Sequence, residues 1–384
     1  MRANYAFTIG DYPRTIEIAE RSVAMSQALG DVVVALGVYV VWSQALFRLG
    51  KLDEAMIRAK NGLQLARQAG RRVEEGKALT SMGLIALEQK EPAIAQNYLE
   101  EAVAIARETR ERTLESRALA NLANSAAYVQ RDYATARAYY DQSYVLAREQ
   151  GDRYGQGLCL ANLGWVSGMR GDFIAARQYH EQALIVSREV GNSYQETYTL
   201  INLSAVSEIQ GKALEAMQYA TKAAKLSREI SDKSGEAWSC LYLGHAYLLI
   251  DEFEQAKLAY QQALDIRKEL GQPALATEPM AGLIQVALKT TDIPFASNLE
   301  DVLLYFSEGG TLEGAEEPLR VYLACYQALE KTGDQRSIKV LQTAMQLLEA
   351  QVSKFSDEGS RRMYVENVPW RRAIEQAWLA SGKG

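Results

Sequence analysis

Two sets of turn residues recur along this sequence at an interval of about 40 residues. In the first set a residue that is usually glycine precedes a charged one, and its first members lie at positions 10, 50, 90, 131, 171, 211 and 251. The second set lies midway, with first members at positions 30, 70, 110, 151, 191, 231 and 271. The two sets keep one register over about 240 residues, which indicates tandem repeats of a single structural unit.

The segments between consecutive turns have the apolar spacing i, i+3, i+4, i+7 of an amphipathic helix. One such segment carries Phe173, Ala176, Tyr179, Ala183, Leu184 and Val186. A glycine after a segment suits the left-handed backbone that ends many helices. Each unit is therefore predicted to be an antiparallel pair of helices, A and B, and stacked pairs bury a continuous core. The predicted fold class is all-α, a right-handed superhelical α-solenoid of stacked helical hairpins.

The composition fits a folded helical protein and argues against several partners. Of the 384 residues, 48% are hydrophobic and 23% are charged, and only 7 are proline. The net charge of −6 argues against nucleic acid, because phosphate binding needs a basic surface. No apolar run approaches the roughly 20 residues that cross a bilayer, so no membrane contact is expected. The isolated cysteines Cys159, Cys240 and Cys325 indicate reduced thiols in a cytoplasmic protein.

The sequence contains no pattern of catalytic or metal-binding residues. Its two histidines, His180 and His245, fall on different helices of different repeats and have no second ligand at helical spacing. Neither a nucleophile elbow nor a glycine-rich phosphate loop occurs, and no pair of carboxylates stands out as an acid and a base. We therefore expect no enzyme activity, no catalytic residue, no metal and no cofactor.

The pattern within each unit resembles a known repeat family. Helix A carries a Leu-Gly-like pair and helix B carries small residues at the crossing, as in Asn162-Leu163-Gly164, Phe173, Ala176, Tyr179, Ala183 and in Leu243-Gly244, Phe253, Ala256, Tyr260, Ala263. These positions resemble the tetratricopeptide repeat, whose usual unit has about 34 residues. The longer unit is similar to the subtype of kinesin light chains and spindle-orientation adaptors. It is also similar to the repeat arms of bacterial signal-transducing ATPases and transcription regulators.

The resemblance covers residues 1–290 and divides the chain into two predicted domains. Residues 1–290 form the tandem array, with a partial first hairpin and about six full repeats. Residues 291–384 form degenerate repeats and a C-terminal helical cap. Only nine residues precede Gly10, which is too few for a helix A. We expect the chain to be the C-terminal portion of a longer polypeptide, and a natural half-hairpin is the alternative.

The repeat pattern degrades toward the C-terminus. Thr291-Asp292 keeps the register, but Pro273, Pro279 and Pro294 interrupt it, and an acidic stretch with Glu313, Glu316 and Glu317 predicts a loop. The closing segment, residues 361–380, contains Tyr364, Val368-Pro369-Trp370 and Trp378. This ending resembles that of many large bacterial repeat-containing regulators. We expect it to be an aromatic lid over the last hairpin, because terminal repeats need an atypical outer face. A partner-docking patch is the alternative.

The A helices line the concave surface in this architecture, so residues at equal phase form a ladder. The ladder consists of Val41, Ser81, Asn121, Asn162, Asn202 and Tyr242. An amide has both donors and an acceptor, so it can hold the backbone of an extended peptide whatever its side chains. The resemblance to kinesin light chains and the adaptors implies this role for Asn121, Asn162 and Asn202. The alternative is that these amides cap helices or bridge neighbouring repeats.

Two flanks of the ladder complete the predicted groove. The earlier flank, four residues before the ladder, is Gly37, Lys77, Arg117, Leu158, Tyr198 and Trp238. The later flank, three residues after it, is Gln44, Leu84, Asn124, Trp165, Ala205 and His245. The predicted binding residues in these flanks are Lys77, Arg117, Asn124, Trp165, Tyr198, Trp238 and His245. The groove changes from cationic to aromatic, which suits a peptide with acidic residues at one end and apolar anchors at the other. Trp165 and Trp238 could equally belong to the core.

A row of cations near the ends of the B helices has a structural interpretation. The row is Arg67, Arg107, Arg148, Arg188, Arg228 and Lys268. A cation in the last turn stabilises the negative end of the helix dipole by roughly 0.3–1 kcal/mol. The row therefore does not predict nucleic-acid binding.

The predicted function is a protein- or peptide-binding scaffold within a larger bacterial regulatory protein. Its predicted partners are a peptide or protein segment in the groove and a nucleotide-binding module upstream in the same polypeptide. The alternative function is an inducer-sensing arm of a signal-transducing ATPase or transcription regulator, for which a small molecule is a further possible ligand. A passive spacer is the third interpretation.

Overall fold

The computed structural model describes residues 11–290, 296–312, 314–355 and 357–382. Within them there are nineteen α-helices, one π-helical turn (Ser125–Gln130) and no strand. The helices are α1 Tyr12–Leu29, α2 Val32–Arg48, α3 Leu52–Gln68, α4 Arg72–Glu88, α5 Pro92–Thr109, α6 Arg112–Asn124, α7 Tyr133–Glu149, α8 Arg153–Met169, α9 Phe173–Glu189, α10 Ser193–Ile209, α11 Ala213–Glu229, α12 Lys233–Leu249, α13 Phe253–Glu269, α14 Pro273–Lys289, α15 Ala296–Ser307, α16 Pro318–Lys331, α17 Arg336–Val352, α18 Glu358–Glu366 and α19 Pro369–Ala380. The prediction of an all-α stack of antiparallel hairpins is confirmed. Gly10, Thr291-Asp292, Pro294 and Glu313 lie outside the described residues.

The two sets of turns each end one helix and begin the next. The first member of every described turn pair has a positive φ, between +54° at Arg131 and +83° at Gly171. This left-handed conformation favours glycine, which explains its recurrence at these positions. The second member is often an N-cap. The carboxylate of Asp172, for example, accepts a hydrogen bond of 3.1 Å from the backbone N–H of Ala175.

Glycines of the A helices admit large side chains of the B helices. A Cβ atom added at Gly164 would lie 2.6 Å from the ring of His180, and one at Gly244 would lie 2.5 Å from the ring of Tyr260. Both rings are buried. The glycine of each of these Leu-Gly pairs therefore makes room for a large ring of the paired B helix.

Four cations of the row at the B-helix ends bind a glutamate eight residues further on, in the next A helix. Each pair has an N–O distance of 2.7 Å: Arg67–Glu75, Arg107–Glu115, Arg188–Glu196 and Arg228–Glu236. Each of these four pairs joins a B helix to the A helix that follows it. The row of cations therefore has a structural role in these four repeats, and its glutamate partners in the next A helix were not predicted from the sequence.

The chain divides into two compact units, residues 1–159 and residues 160–384. In the first unit consecutive helices pack together, and α2 also packs against α4, as α4 does against α6. In the second unit α10 packs against α12 and α12 against α14 in the same way. Equal-phase residues of neighbouring A helices therefore lie side by side within each unit. The predicted boundary near residue 290 stays a prediction.

The C-terminal helices complete the second unit. Helix α16 packs against α14, α17 and α19. A buried cluster around Val302, Ala324 and Cys325 joins α14, α15, α16 and α17. The thiols of Cys159, Cys240 and Cys325 are free and buried. Among the described helices, none has the length and apolar character that crossing a membrane requires.

Candidate binding surface and pocket

In the first unit, the A helices present predicted binding residues on one face. Lys77 on α4 and Arg117 on α6 are exposed. Asn121 lies one turn after Arg117 and is half-buried, and its amide has no hydrogen bond within the described residues. The carbonyl oxygen of Asn124, in contrast, accepts a hydrogen bond of 2.6 Å from the Tyr140 hydroxyl. Asn124 therefore links α6 to its paired B helix α7, whereas Lys77 and Arg117 are exposed to solvent and Asn121 is partly exposed.

In the second unit, three of the predicted binding residues line one pocket. They are Trp165 on α8, Asn202 on α10 and His245 on α12. His245 is also engaged by the core, because its Nδ1 lies 2.6 Å from the Tyr260 hydroxyl. The half-buried Asn162 does not line this pocket.

The other two aromatic candidates of the second unit pack against the core. Tyr198 and Trp238 both contact the buried cluster around Leu200 and Ala223. The guanidinium of Arg267 lies over the Trp238 ring, 4.6 Å from its centroid. These contacts support the alternative interpretation of Trp238 as a packing residue.

The chain just before α16 and the first turn of that helix contact the A helices of the second unit and form one wall of the pocket. We call residues 315–320 the returning segment, which is non-helical as far as Glu317 and helical from Pro318. The backbone N–H groups of Glu316 and Glu317 each donate a hydrogen bond of 3.1 Å to Oε1 of Glu278 on α14. The Tyr242 hydroxyl donates to the Glu316 carboxylate at 2.9 Å. Arg320 binds Glu208 on α10 at 2.7 Å. Three A helices therefore hold the returning segment.

The last two helices hold the returning segment from the other side. The indole N–H of Trp370 donates to Glu317 at 2.8 Å, and the buried guanidinium of Arg371 donates to the same carboxylate at 2.7 Å. The amide of Asn367 donates to the Gly171 carbonyl at 2.9 Å. The closing segment thus reaches the turn between α8 and α9. The closing segment therefore covers more than the last hairpin, which the sequence analysis did not expect. Asn367 and Gly171 are 196 positions apart, and a contact at that separation leaves no local pattern in the sequence.

The pocket combines aromatic side chains with four carboxylates. Those carboxylates belong to Glu208, Glu278, Glu316 and Glu317. The volume of the pocket that water can enter is about 60 Å³. Among the described residues, no three of His, Cys, Asp and Glu are grouped so that they could hold a metal ion.

Two of the pocket carboxylates form no ion pair within the described residues. Burial raises the pKa of Glu278 to about 8, and the hydrogen bonds from the Glu317 and Glu316 backbone offset only part of this effect. Burial likewise raises the pKa of Glu316 to about 7, against the opposing hydrogen bonds from Tyr242 and Trp165. Oε2 of Glu278 is buried and has no hydrogen-bond partner. Both carboxyls therefore hold a proton more tightly than an ordinary glutamate and have no cation paired with them in the described ranges.

Both histidines at the pocket are held in the neutral form. Burial lowers the pKa of His180 to about 3, and burial also lowers the pKa of His245 well below its ordinary value. Nδ1 of His180 is buried without a hydrogen-bond partner. His180 therefore has an unused ring nitrogen at the pocket wall.

Several pocket residues were missed by the sequence analysis. Glu278 could have been found, because it lies 40 residues after Trp238 and so continues the earlier flank. Glu316, Glu317 and Arg320 follow a loop, and nothing in the repeat pattern places that loop on the A helices. As a result, the sequence analysis predicts a groove that changes from cationic to aromatic, and it does not include the four carboxylates of the second-unit pocket.

Comparisons with known proteins agree with this architecture. Family models of the tetratricopeptide repeat match residues 114–189 and 239–270. A search of curated protein sequences finds no match. The apo form of the quorum sensor NprR from B. thuringiensis is 14% identical, with a TM-score of 0.65 over 90% of this chain and 97% of that one.

Two further solved structures are similar. One is the Rap conjugation gene regulator of plasmid pLS20 in complex with the Phr* peptide, 16% identical, with a TM-score of 0.54 over 80% of this chain and 78% of that one. The other is a Signal Transduction ATPase with Numerous Domains with a tetratricopeptide repeat sensor, from Pyrococcus horikoshii. It is 14% identical, with a TM-score of 0.60 over 89% of this chain and 53% of that one. The repeat period, the helix pairs and these matches together identify the chain as a protein of the tetratricopeptide repeat type.

Proposed function

We propose that this protein binds a peptide or protein segment on the exposed face of its A helices. One observation carries the proposal, namely that this face in the second unit already holds the backbone of a polypeptide segment that is non-helical at Glu316 and Glu317. Glu278 of the earlier flank binds two backbone N–H groups of the returning segment, and Tyr242 of the ladder binds its Glu316 side chain. Backbone contacts at one position and side-chain contacts at another are the two elements of peptide recognition.

The equivalent face of the first unit is the proposed site for an external peptide. Lys77 and Arg117 offer two exposed cations on neighbouring helices, and Asn121 offers an amide beside them. Cations form strong hydrogen bonds with carboxylates, and an amide can both donate to and accept from a peptide backbone. A segment with acidic side chains fits this face best.

The comparisons are consistent with peptide binding, but the proposal does not depend on them. One similar structure, the Rap regulator, contains a bound peptide, and another is a quorum sensor. At identities of 14–16% the likeness extends to the fold alone. We propose binding without catalysis, in the cytoplasm, as part of a larger bacterial regulatory protein with a nucleotide-binding module upstream. We propose no nucleic-acid or membrane partner.

Selection from a phage-displayed peptide library tests the proposed site. The affinity of the enriched peptides is then measured by fluorescence anisotropy for the wild type, for Lys77→Glu/Arg117→Glu and for Lys60→Glu. Lys60 lies exposed on the B helix α3 of the same unit and controls for the change of charge. The proposal expects acidic peptides whose affinity falls about 10-fold or more in the double variant alone, as for a lost hydrogen bond to a charged group. Equal affinity for all three proteins would refute the site.

A second candidate function is an inducer-sensing arm, as the sequence analysis also considered. The specific observation in its favour is the pocket of the second unit, which the C-terminal residues Glu317, Arg320 and Trp370 partly enclose. A partly enclosed pocket suits a small ligand better than a long peptide. The resemblance to a tetratricopeptide repeat sensor of a signal-transducing ATPase is consistent with it. Thermal-shift screening of a metabolite library against wild type and a pocket variant separates the two functions.

A further inference from the structure

We propose that the pocket of the second unit binds the protonated amine of an organic ligand. This inference goes beyond the proposed peptide site, because it concerns other residues in the other unit and does not depend on that site. The ligand class is an alkylammonium group, whether carried by a free small amine or by a lysine side chain.

The charges around the pocket favour a cation. Four carboxylates line it, and two of them are already paired, since Arg320 binds Glu208 and Arg371 binds Glu317. Glu278 and Glu316 make no ion pair within the described part of the chain. A ligand cation beside them would replace their protons and pair with the carboxylates, and charge-assisted hydrogen bonds are the stronger kind.

Two buried atoms of the lining lack hydrogen-bond partners. They are Oε2 of Glu278 and Nδ1 of His180. Glu278 is only 8% exposed and His180 only 1%. A carboxylate oxygen always accepts, and a neutral imidazole nitrogen accepts in one of its two tautomers. An ammonium group has three donors and no acceptor, so it can donate to an acceptor atom of this kind and to further groups of the lining.

The aromatic lining also suits an organic cation. Trp165, Tyr242 and Trp370 line the pocket together with Phe173. The faces of such rings attract ammonium groups, and apolar ring surface accommodates the attached methylene groups. The volume of the pocket that water can enter is about 60 Å³. One water needs roughly 10–15 Å³. The pocket therefore has room for an ammonium group on a short alkyl chain.

The proposed site predicts a pH dependence of amine binding. Several other ionisable groups line the pocket with Glu278, namely Glu208, His180, His245, Tyr242, Glu316, Glu317 and Arg320. The guanidinium of Arg267 also acts on the Glu278 carboxyl, although it does not line the pocket. The pKa values of about 8 for Glu278 and about 7 for Glu316 mean that both carboxyls are mostly protonated at pH 6. A bound cation favours their ionised forms, so amine binding releases protons. Affinity should rise between pH 6 and 8.5, by at most about 10-fold per pH unit for each proton released.

Isothermal titration calorimetry of the full chain with 1,4-diaminobutane tests the proposal. Butan-1-ol serves as the neutral control ligand, and acetyl-Ala-Lys-Ala-amide presents the same ammonium on a peptide. The protein variants are Glu278→Gln, Glu316→Gln and the control Glu254→Gln, whose carboxylate is exposed at the start of α13. Circular dichroism melting of each variant establishes that it is folded, and either of the two pocket variants suffices if the other unfolds.

The proposal expects saturable binding of an amine by wild type and by Glu254→Gln, with affinity about 10-fold or more lower in a folded pocket variant. Binding of the diamine alone identifies a free small amine as the source, and binding of the lysine peptide identifies a side chain. Equal binding of butan-1-ol, equal affinity in the pocket variants, or no binding of either amine would overturn the proposal. The Lys77→Glu/Arg117→Glu variant should bind the amine as wild type does, so this test and that of the peptide site can fail separately.

Discussion

Arg320 and Glu208 form an ion pair of 2.7 Å, although 112 positions separate them in the sequence. The pair links the returning segment to α10, and the Arg320 guanidinium also lies 4.8 Å from the centroid of the Trp370 ring. Glu208 is buried and Arg320 is largely so. Arg320 therefore joins α10 of the repeat array to the C-terminal helices α16 and α19 at the pocket.

Removing one partner of this buried pair should destabilise the protein strongly. We expect Arg320→Ala to lower the free energy of unfolding by about 3 kcal/mol or more, because it leaves the Glu208 carboxylate buried and unpaired. Arg188→Ala is the control, since its pair with Glu196 is half-exposed and should contribute at most about 1 kcal/mol. Urea unfolding followed by circular dichroism measures both. A cost for Arg320→Ala no larger than that of the control would contradict this account of the pair.

Two glycine substitutions should change stability in opposite directions. Gly164→Ala places a methyl group against the ring of His180 and should destabilise the protein by about 1–3 kcal/mol. Gly37→Ala lies in the interior of α2 with no atom within 4 Å of the new Cβ, and should stabilise by about 0.5–1 kcal/mol. Thermal unfolding of the two variants gives the comparison. Stabilisation by both would mean that α8 and α9 approach less closely than described.

Neighbouring asparagines on α6 should behave differently. Asn124→Ala removes the acceptor of the buried Tyr140 hydroxyl and should cost about 1–3 kcal/mol of stability. Asn121→Ala removes an amide without a partner among the described residues and should change stability by about 0.5 kcal/mol or less. If Asn121 contacts a peptide, its variant weakens peptide binding while the melting temperature stays near that of wild type. The reverse order of stabilities would assign Asn121 to the repeat core.

The raised pKa of Glu278, about 8, predicts how its contribution to stability varies with pH. Between the ordinary glutamate pKa of about 4.5 and pH 8, the folded chain binds this proton more tightly than the unfolded chain. Stability from this group is therefore complete below about pH 4.5 and is lost as pH rises to 8. The slope is at most about 1.4 kcal/mol per pH unit.

Comparison with Glu278→Gln isolates this effect. The buried neutral histidines His180 and His245 have lowered pKa values and act in the opposite sense below about pH 6.5, but they are common to both proteins. Urea unfolding at pH 5, 6.5 and 8 should show that wild type loses stability relative to Glu278→Gln as pH rises. Parallel curves for the two proteins would mean that Glu278 titrates normally.

The repeat architecture could be predicted from the sequence because its signals are local. The left-handed position of each turn selects glycine, as at Gly171, and the crossing of the helices selects a small residue, as at Gly164. Each signal recurs every 40 or so residues, so the helix pairs and their order follow from it. Equal phase also predicts the outward face of α4 and α6 with Lys77 and Arg117.

The acidic pocket could not be predicted in the same way. Glu316 follows a loop, and its burial against Tyr242 depends on where α16 docks, which no periodic pattern specifies. The roles of Asn124 and His245 also depend on single partners, the hydroxyls of Tyr140 and Tyr260. A residue that is exposed for ligand binding and a residue that links two helices can occupy equivalent positions of the repeat. Only the tertiary contacts show which of the two roles a residue has.

Photo-crosslinking tests most directly the claim that the A helices form the binding surface. A peptide selected on the wild-type protein would carry a benzoylphenylalanine at its centre, and peptide mapping by mass spectrometry would locate the crosslinks. The account predicts crosslinks in α4 and α6 near Lys77 and Arg117, and their loss in Lys77→Glu/Arg117→Glu but not in Lys60→Glu. Crosslinks confined to the B helices α3 and α5, or undiminished in the double variant, would contradict it.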